Sequence, residues 1–133
     1  MRKWILDRLY TIVKNTNNFK VGYKGVAPPI TAVNQYPAFA VVFDKENRER
    51  KNISSCVFQS ELRLSIIIYN QGRNGVFEDI MSDLIESVED AINKDDELQT
   101  KLIDIYVDKI VQDGGLIHPK ALAELQVSAF YRR

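Results

Sequence analysis

Phe58-Gln59-Ser60-Glu61-Leu62-Arg63-Leu64-Ser65-Ile66-Ile67-Ile68 is the stretch on which the reading of the whole chain depends. Phe58, Ser60, Leu62, Leu64, Ile66 and Ile68 form a mostly apolar stripe of period two, with Gln59, Glu61, Arg63 and Ser65 on the opposite side. That alternation predicts one long, half-buried strand. Asn70-Gln71-Gly72-Arg73-Asn74-Gly75 then predicts a turn. Beyond it Phe77, Ile80, Met81, Leu84, Ile85, Val88 and Ile92 recur at three- and four-residue steps, which predicts one long amphipathic helix. Strand and helix each carry one apolar side, so each must cover the other or a neighbour. The unit shows no catalytic residue set, and function is to be sought on its surfaces.

Upstream, Ala38-Phe39-Ala40-Val41-Val42-Phe43 predicts a short strand, apolar on both faces. The charged run Asp44-Lys45-Glu46-Asn47-Arg48-Glu49-Arg50-Lys51-Asn52 follows it and predicts the solvated tip of an antiparallel hairpin. Such a tip is either an arm reaching another subunit, removable without unfolding the monomer, or a solubilising loop. Arg48, Arg50 and Lys51 lack the interleaved aromatic residues of a single-strand platform.

Between Phe19 and Pro37 the chain reads as irregular, punctuated by Gly22, Gly25, Pro28, Pro29 and Pro37, with a short strand around Phe19 to Tyr23. Val21, Tyr23, Val26, Ile30 and Val33 anchor it, so it is an ordered loop of the kind that contacts a partner. Residues 2–14 predict a short amphipathic helix with Ile5, Leu9, Ile12 and Val13 on one side, extended by Trp4. Packing on the sheet is the expected role of this helix, with a membrane-surface helix as the alternative.

Downstream, Asn93-Lys94-Asp95-Asp96 ends the long helix, and Asp95 or Asp96 is placed to cap a further turn holding Leu98 and Leu102. Residues 103–111 predict a strand with Ile103, Ile105, Val107 and Val111 on one face. Asp113-Gly114-Gly115 predicts a turn, and residues 121–131 a closing strand beside the central one. The expected fold is α+β in a single domain over residues 1–133: a mainly antiparallel sheet of about four strands with a long hairpin, and one long and one short helix packed on one face. At 133 residues the chain is long enough to bury a real core.

Net charge is zero and the pI about 6.6, which gives no global case for nucleic-acid binding. The charge is nonetheless split. Residues 1–51 hold ten Lys/Arg and four Asp/Glu, a net +6, and residues 52–133 a net −6. Two oppositely charged surfaces would suit head-to-tail packing of identical subunits, unless folding interleaves the charges. Asp79, Asp83, Glu86 and Asp90 form one acidic helical stripe, widened by Glu78 and Glu89. No histidine joins them and a bare stripe cannot wrap six ligands round calcium, so the expected role is a solvated or partner-facing surface.

Cys56 stands alone, which excludes an internal disulfide and a cysteine zinc site; it is expected to act as a small apolar residue near the start of the central strand. Synthesis inside the cell, no signal peptide and a soluble protein are the matching expectations. His118 precedes Pro119 with no nucleophile motif in sight, so it reads as a loop histidine. Gly72 and Gly75 fit no nucleotide fingerprint. No catalytic residue, cofactor or metal site is expected. A small enzyme with a cleft beside His118, Asp113 and Tyr131 is the rival reading, and a ligand- or nucleic-acid-binding module another.

The order of elements resembles the tail terminator, or tail-completion, proteins of long-tailed bacteriophages. The resemblance is carried by the helix from Trp4 to Val13 and by Tyr36-Pro37-Ala38-Phe39-Ala40-Val41 entering the sheet. Glu61-Leu62-Arg63-Leu64-Ser65-Ile66 and the helix from Ile80 to Ile92 continue it. Asp113-Gly114, His118-Pro119, Leu125-Gln126-Val127 and Tyr131-Arg132 complete it. It implies a non-enzymatic virion protein that forms a ring, usually of six subunits, on the head-proximal end of the tail tube. Its implied partners are itself, the tube protein and the neck or connector proteins, with genomic DNA passing through the centre and no membrane involved. Another neck or head-completion ring protein is the near alternative. The residues expected to make subunit or tube contacts are Lys45, Arg48, Glu49, Arg50 and Lys51 on the arm, and Asp79, Asp83, Glu86 and Asp90 on the helix. Val57, Ile67 and Tyr69 are further candidates if they are exposed, or core residues if the first helix covers them.

Overall fold

The predicted central strand forms as β3 (Val57–Gln71), and its apolar alternation decides what lies on each side of it. The structure, a computed structural model, describes residues 1–52, 57–71, 76–112 and 120–132, without the side chains of 49–52, 57–58, 76–78 and 120. The expectations for Cys56, for Gly72 and Gly75, for the turn at 113–115 and for His118 lie outside the described residues, as do the side chains of Val57, Phe58, Phe77 and Glu78.

β3 pairs antiparallel with β2 (Ala38–Asn52) and with β5 (Lys120–Arg132), and β5 with β4 (Asp104–Gln112). β1 (Val21–Lys24) adds a fifth, parallel strand beside the start of β2, giving the order β1-β2-β3-β5-β4. Helices α1 (Arg2–Asn15), α2 (Val76–Lys94) and the short α3 (Asp96–Lys101) supply the helical part of this α+β fold. The main core joins Leu62, Leu64, Ile66 and Ile68 of β3 and the inward residues of β5 to Ile5, Leu9 and Val13 of α1 and Met81, Leu84, Ile85, Val88 and Ile92 of α2. Burying each such side chain contributes about 1.5–3 kcal/mol. The first helix thus packs on the sheet. Ile80 leaves the predicted stripe and is 42% exposed.

The other side of the sheet corrects one expectation. Ile67 and Tyr69 are neither exposed nor under the first helix. Tyr69 is buried in a second cluster with Ile30, Val33, Ala38 and Ala40, and Ile67 packs against it. The chain between β1 and β2 must cross over to make a parallel pair, and its crossover lies on this face. It holds a 3-10 turn (Ile30–Ala32) and a cis Tyr36–Pro37 peptide. Tyr69 donates its hydroxyl hydrogen to the Pro28 carbonyl at 2.6 Å, and Tyr36 donates to the Val33 carbonyl at 2.6 Å. Burial pushes the Tyr69 phenol up to about 12. This double cover explains why Ala38–Phe43 and Ile66–Tyr69 read as continuous apolar runs.

Gly22 is set by close approach. A Cβ there would stand 2.5 Å from Cζ of Phe39, whose ring is buried between Tyr10 and Phe19 with centroids 5.3 and 5.1 Å away. A ring held on both sides cannot swing aside. Gly22→Ala is expected to destabilise the fold by about 1–3 kcal/mol, read as a lower urea midpoint at unchanged slope.

The charged run is not a hairpin tip. β2 continues through it to Asn52, with Lys45 opposite Arg63, Glu46 opposite Leu62 and Arg48 opposite Ser60. The β3 side of this ladder is itself paired to β5 as far as Gln59, so the run is part of the sheet. A bulge at Asp44 explains how charge is accommodated. Phe43 faces the helices; after the extra residue Lys45 faces away and Glu46 and Arg48 take the helix side. A second bulge, at Asp108 in β4, corrects the predicted face there. Ile105 and Val107 lie against the core side of β5, but Val111 pairs opposite Glu124 on the other face, and Ile103 precedes the strand and is 49% exposed. The two bulges flank one row, Phe43–Leu64–Val127–Val107.

Candidate assembly surfaces

Three surfaces stand out. The first is a cationic cleft at the end of the sheet where β2 carries its charges. Arg2 and Lys3 come from the start of α1, Arg48 from β2, and Tyr131 and Arg132 from the end of β5; with Met1 they line an open cleft of about 360 Å³. Arg2 lies over the Phe43 ring at 5.1 Å. Glu46, with its side chain 9% exposed, anchors the cluster: it accepts a hydrogen bond from the Tyr131 hydroxyl and one from Nε of Arg48 at 2.9 Å. Burial pushes the Glu46 carboxyl up, but the hydrogen bonds from Tyr131 and Arg48 and the charges of Arg48 and Arg2 together outweigh it and hold the carboxyl below its ordinary value. Ser60 lies between Arg48 and Tyr131 in the register, fully buried, and its hydroxyl has no hydrogen-bond partner among the described residues.

Tyr131→Phe removes one donor to a charged, nearly buried acceptor. It is expected to cost about 1.5–3 kcal/mol, and to let the Glu46 carboxyl rise towards its ordinary range. The sign follows from the depressed carboxyl. Its contribution is full above the ordinary glutamate range and disappears as pH falls through the folded-state value, so the variant and the parent converge in stability on acidification. Urea titrations at several pH values check this.

The second surface is α2. Asp79, Asp83, Glu86 and Asp90 are all exposed, and among the described residues none of them takes part in an ion pair. The apolar residues of α2 point to the core, so the acidic stripe lies away from the sheet. The third surface is the outer edge strand β4, where Tyr106, Ile110 and Val111 are each 40–41% exposed and Tyr106 stacks on Phe130 at 6.0 Å.

Of the residues named from sequence, Arg48 joins the cleft, while Lys45 is exposed on the opposite face of β2. The backbone of Glu49, Arg50 and Lys51 continues the strand; their side chains lie outside the described residues. Among the described residues no ion pair joins Lys45 or Arg48 to the acidic stripe. The reading from sequence missed Arg2, Lys3, Glu46, Tyr131 and Arg132. Glu46 and Tyr131 are 85 residues apart, and only the strand pairing joins them.

Below the cleft, Arg8 of α1 grips Asp95 at the α2–α3 junction, with Nε 3.0 Å from Oδ2. Asp95 also caps α3 by accepting from the Leu98 amide at 3.0 Å. The Arg8 hydrogen bond holds the Asp95 carboxyl below its ordinary value, against the opposing effect of burial. Among the described residues no group of three or more His, Cys, Asp or Glu is placed to hold a metal ion, and no helix is long and apolar enough to cross a membrane.

No curated protein matches the sequence. Among solved structures, a chain from the virion of a native gene transfer agent particle shares the fold with a TM-score of 0.58 at 9% identity, over 94% of this chain and 92% of that one. Residues 11–133 match the family described as Bacteriophage Tail Tube Terminator Protein. A five-stranded, helix-backed sheet whose prominent features are charged and apolar surfaces accords with that match, and the chain belongs to this family of structural phage tail proteins, as a component of the virion.

Proposed function

We propose that the protein assembles as a ring, of six copies, on the head-proximal end of the finished tail tube, where it ends tube polymerisation and offers its free side to the neck. Genomic DNA passes through the centre without sequence-specific contacts. The observation that carries this is the family match over residues 11–133. The surfaces support it: a ring needs a heterologous contact in which one patch meets a different patch on the next copy, and this chain presents a cationic cleft and an exposed acidic stripe on separate elements. Lys45, Arg48, Glu49, Arg50 and Lys51 on β2, and Asp79, Asp83, Glu86 and Asp90 on α2, supply the contacts to neighbouring copies and to the tube. The role is structural and needs no cofactor.

Adding the purified protein to polymerising tube subunits tests the reading. Tubes capped at one end and shorter on average are the expected result, and virions lacking the protein should carry tails of abnormal length. Tube length indifferent to the protein, both in solution and in particles, would overturn it. Removing residues 45–51 is a poor test, because it strips β3 of its partner strand; charge substitutions leave the ladder in place.

A further inference from the structure

We infer that, within the proposed ring, the cationic cleft of one copy receives the acidic face of α2 from the next. This rests on the ring reading and names its subunit contact. Three observations lead to it. The cleft is lined by four cationic side chains, Arg2, Lys3, Arg48 and Arg132, with the Glu46 carboxylate bonded to Arg48 beside it, and Lys3 and Arg132 take part in no ion pair among the described residues. Helix α1 opens into the same cleft without a side-chain cap and without an acidic residue in its first turn, so the positive end of its dipole adds to the field. The complementary charge is carried by the same chain: Asp79, Asp83, Glu86 and Asp90 run along roughly 16 Å of α2, exposed and, among the described residues, without an ion pair.

Charge complementarity selects the occupant. A guanidinium-rich cleft takes either carboxylates or phosphates. The protein as a whole carries no net positive charge to draw in a phosphate backbone. A second copy brings carboxylates at helical spacing, several at once. Because the cleft and the stripe lie on separate elements, each copy uses one with the neighbour ahead and the other with the neighbour behind. Such head-to-tail contacts close into a ring when the rotation between successive copies adds to a full turn.

The test reverses the charges separately. One variant carries Asp79→Lys, Asp83→Lys, Glu86→Lys and Asp90→Lys, and the other Lys3→Glu with Arg132→Glu; among the described residues none of these six side chains makes an ion pair. Circular dichroism and thermal unfolding confirm that both fold. Self-association is read by native mass spectrometry and light scattering, alone and on tail tubes. Each variant alone is expected to assemble about ten-fold more weakly or not at all. Mixed in equal amounts, the two should assemble again, because the reversed stripe of one fits the reversed cleft of the other. Such an alternating ring closes only with an even number of copies. Parent protein that forms rings while both variants form them equally well alone, or while the mixture stays dissociated, overturns the inference and leaves the ring reading standing. Loss of duplex DNA binding in the Lys3→Glu/Arg132→Glu protein with rings intact assigns the cleft to phosphate and overturns it too. Parent protein that stays monomeric even on tubes overturns both.

Discussion

Phe39→Ala is expected to lose about 3–5 kcal/mol of stability, a large share of the 5–15 kcal/mol typical of a domain. The ring is 1% exposed, lies between Tyr10 and Phe19, and presses on the backbone of Gly22, so its removal opens a cavity walled by α1, β1 and β2. Tyr10 is anchored in a 14-residue helix and Phe19 in the short segment between that helix and β1, so collapse into the space is restricted. A fall in melting temperature of roughly 10–20 °C is the matching thermal result. Phe39→Leu should recover more than half of the loss, because most of the volume is restored. Equal destabilisation by the two substitutions would show that the aromatic contacts, and not the filled volume, hold α1 to the sheet.

The second large effect is at Asp95. Asp95→Ala removes the α3 cap and both hydrogen bonds from the Arg8 guanidinium, at an expected cost of about 2–4 kcal/mol. Asp95→Asn retains an acceptor for the Leu98 amide and should cost less. The pH dependence separates the two roles. The folded carboxyl is held below its unfolded value by Arg8, so its stabilisation is complete above the ordinary aspartate range and is lost as pH falls through the folded value. The parent should therefore lose stability on acidification more steeply than Asp95→Asn does. Urea midpoints measured from neutral pH to strongly acidic pH decide this; parallel curves would mean that Arg8 contributes packing but little charge stabilisation.

How far the sequence carried the fold depends on what each residue pattern encodes. The Leu62–Ile68 alternation, the α2 stripe from Met81 to Ile92 and the Ala123–Tyr131 alternation each report one buried face, and each element lies where its period places it. What failed was extrapolation through an irregularity. Counting by two from Phe39, Val41 and Phe43 puts Lys45 and Asn47 on the covered side, and the charges then argue for a loop; one extra residue at Asp44 instead sends Glu46 and Arg48 there, where Tyr131 and solvent satisfy them. Asp108 does the same to Val111. A bulge has no sequence signal as firm as a turn's, because it costs little and many residues tolerate it. The cleft was illegible for a different reason. Its residues come from both ends of the chain and from the middle, and only pairing brings them together, whereas the acidic stripe is local and could be read directly.

The extra residues at Asp44 and Asp108 have a geometric consequence. Since they flank a single row of the sheet, β2 and β4 each bend locally at the same level, which is expected to incline the parts of the molecule on either side of that row. Copies arranged round an axis close only when their successive inclinations add to a full circle. Excising Asp44 keeps the flanking rungs, Phe43 with Leu64 and Lys45 with Arg63, in register while removing the local bend it gives β2, so its effect on ring closure is expected to exceed its effect on strand pairing.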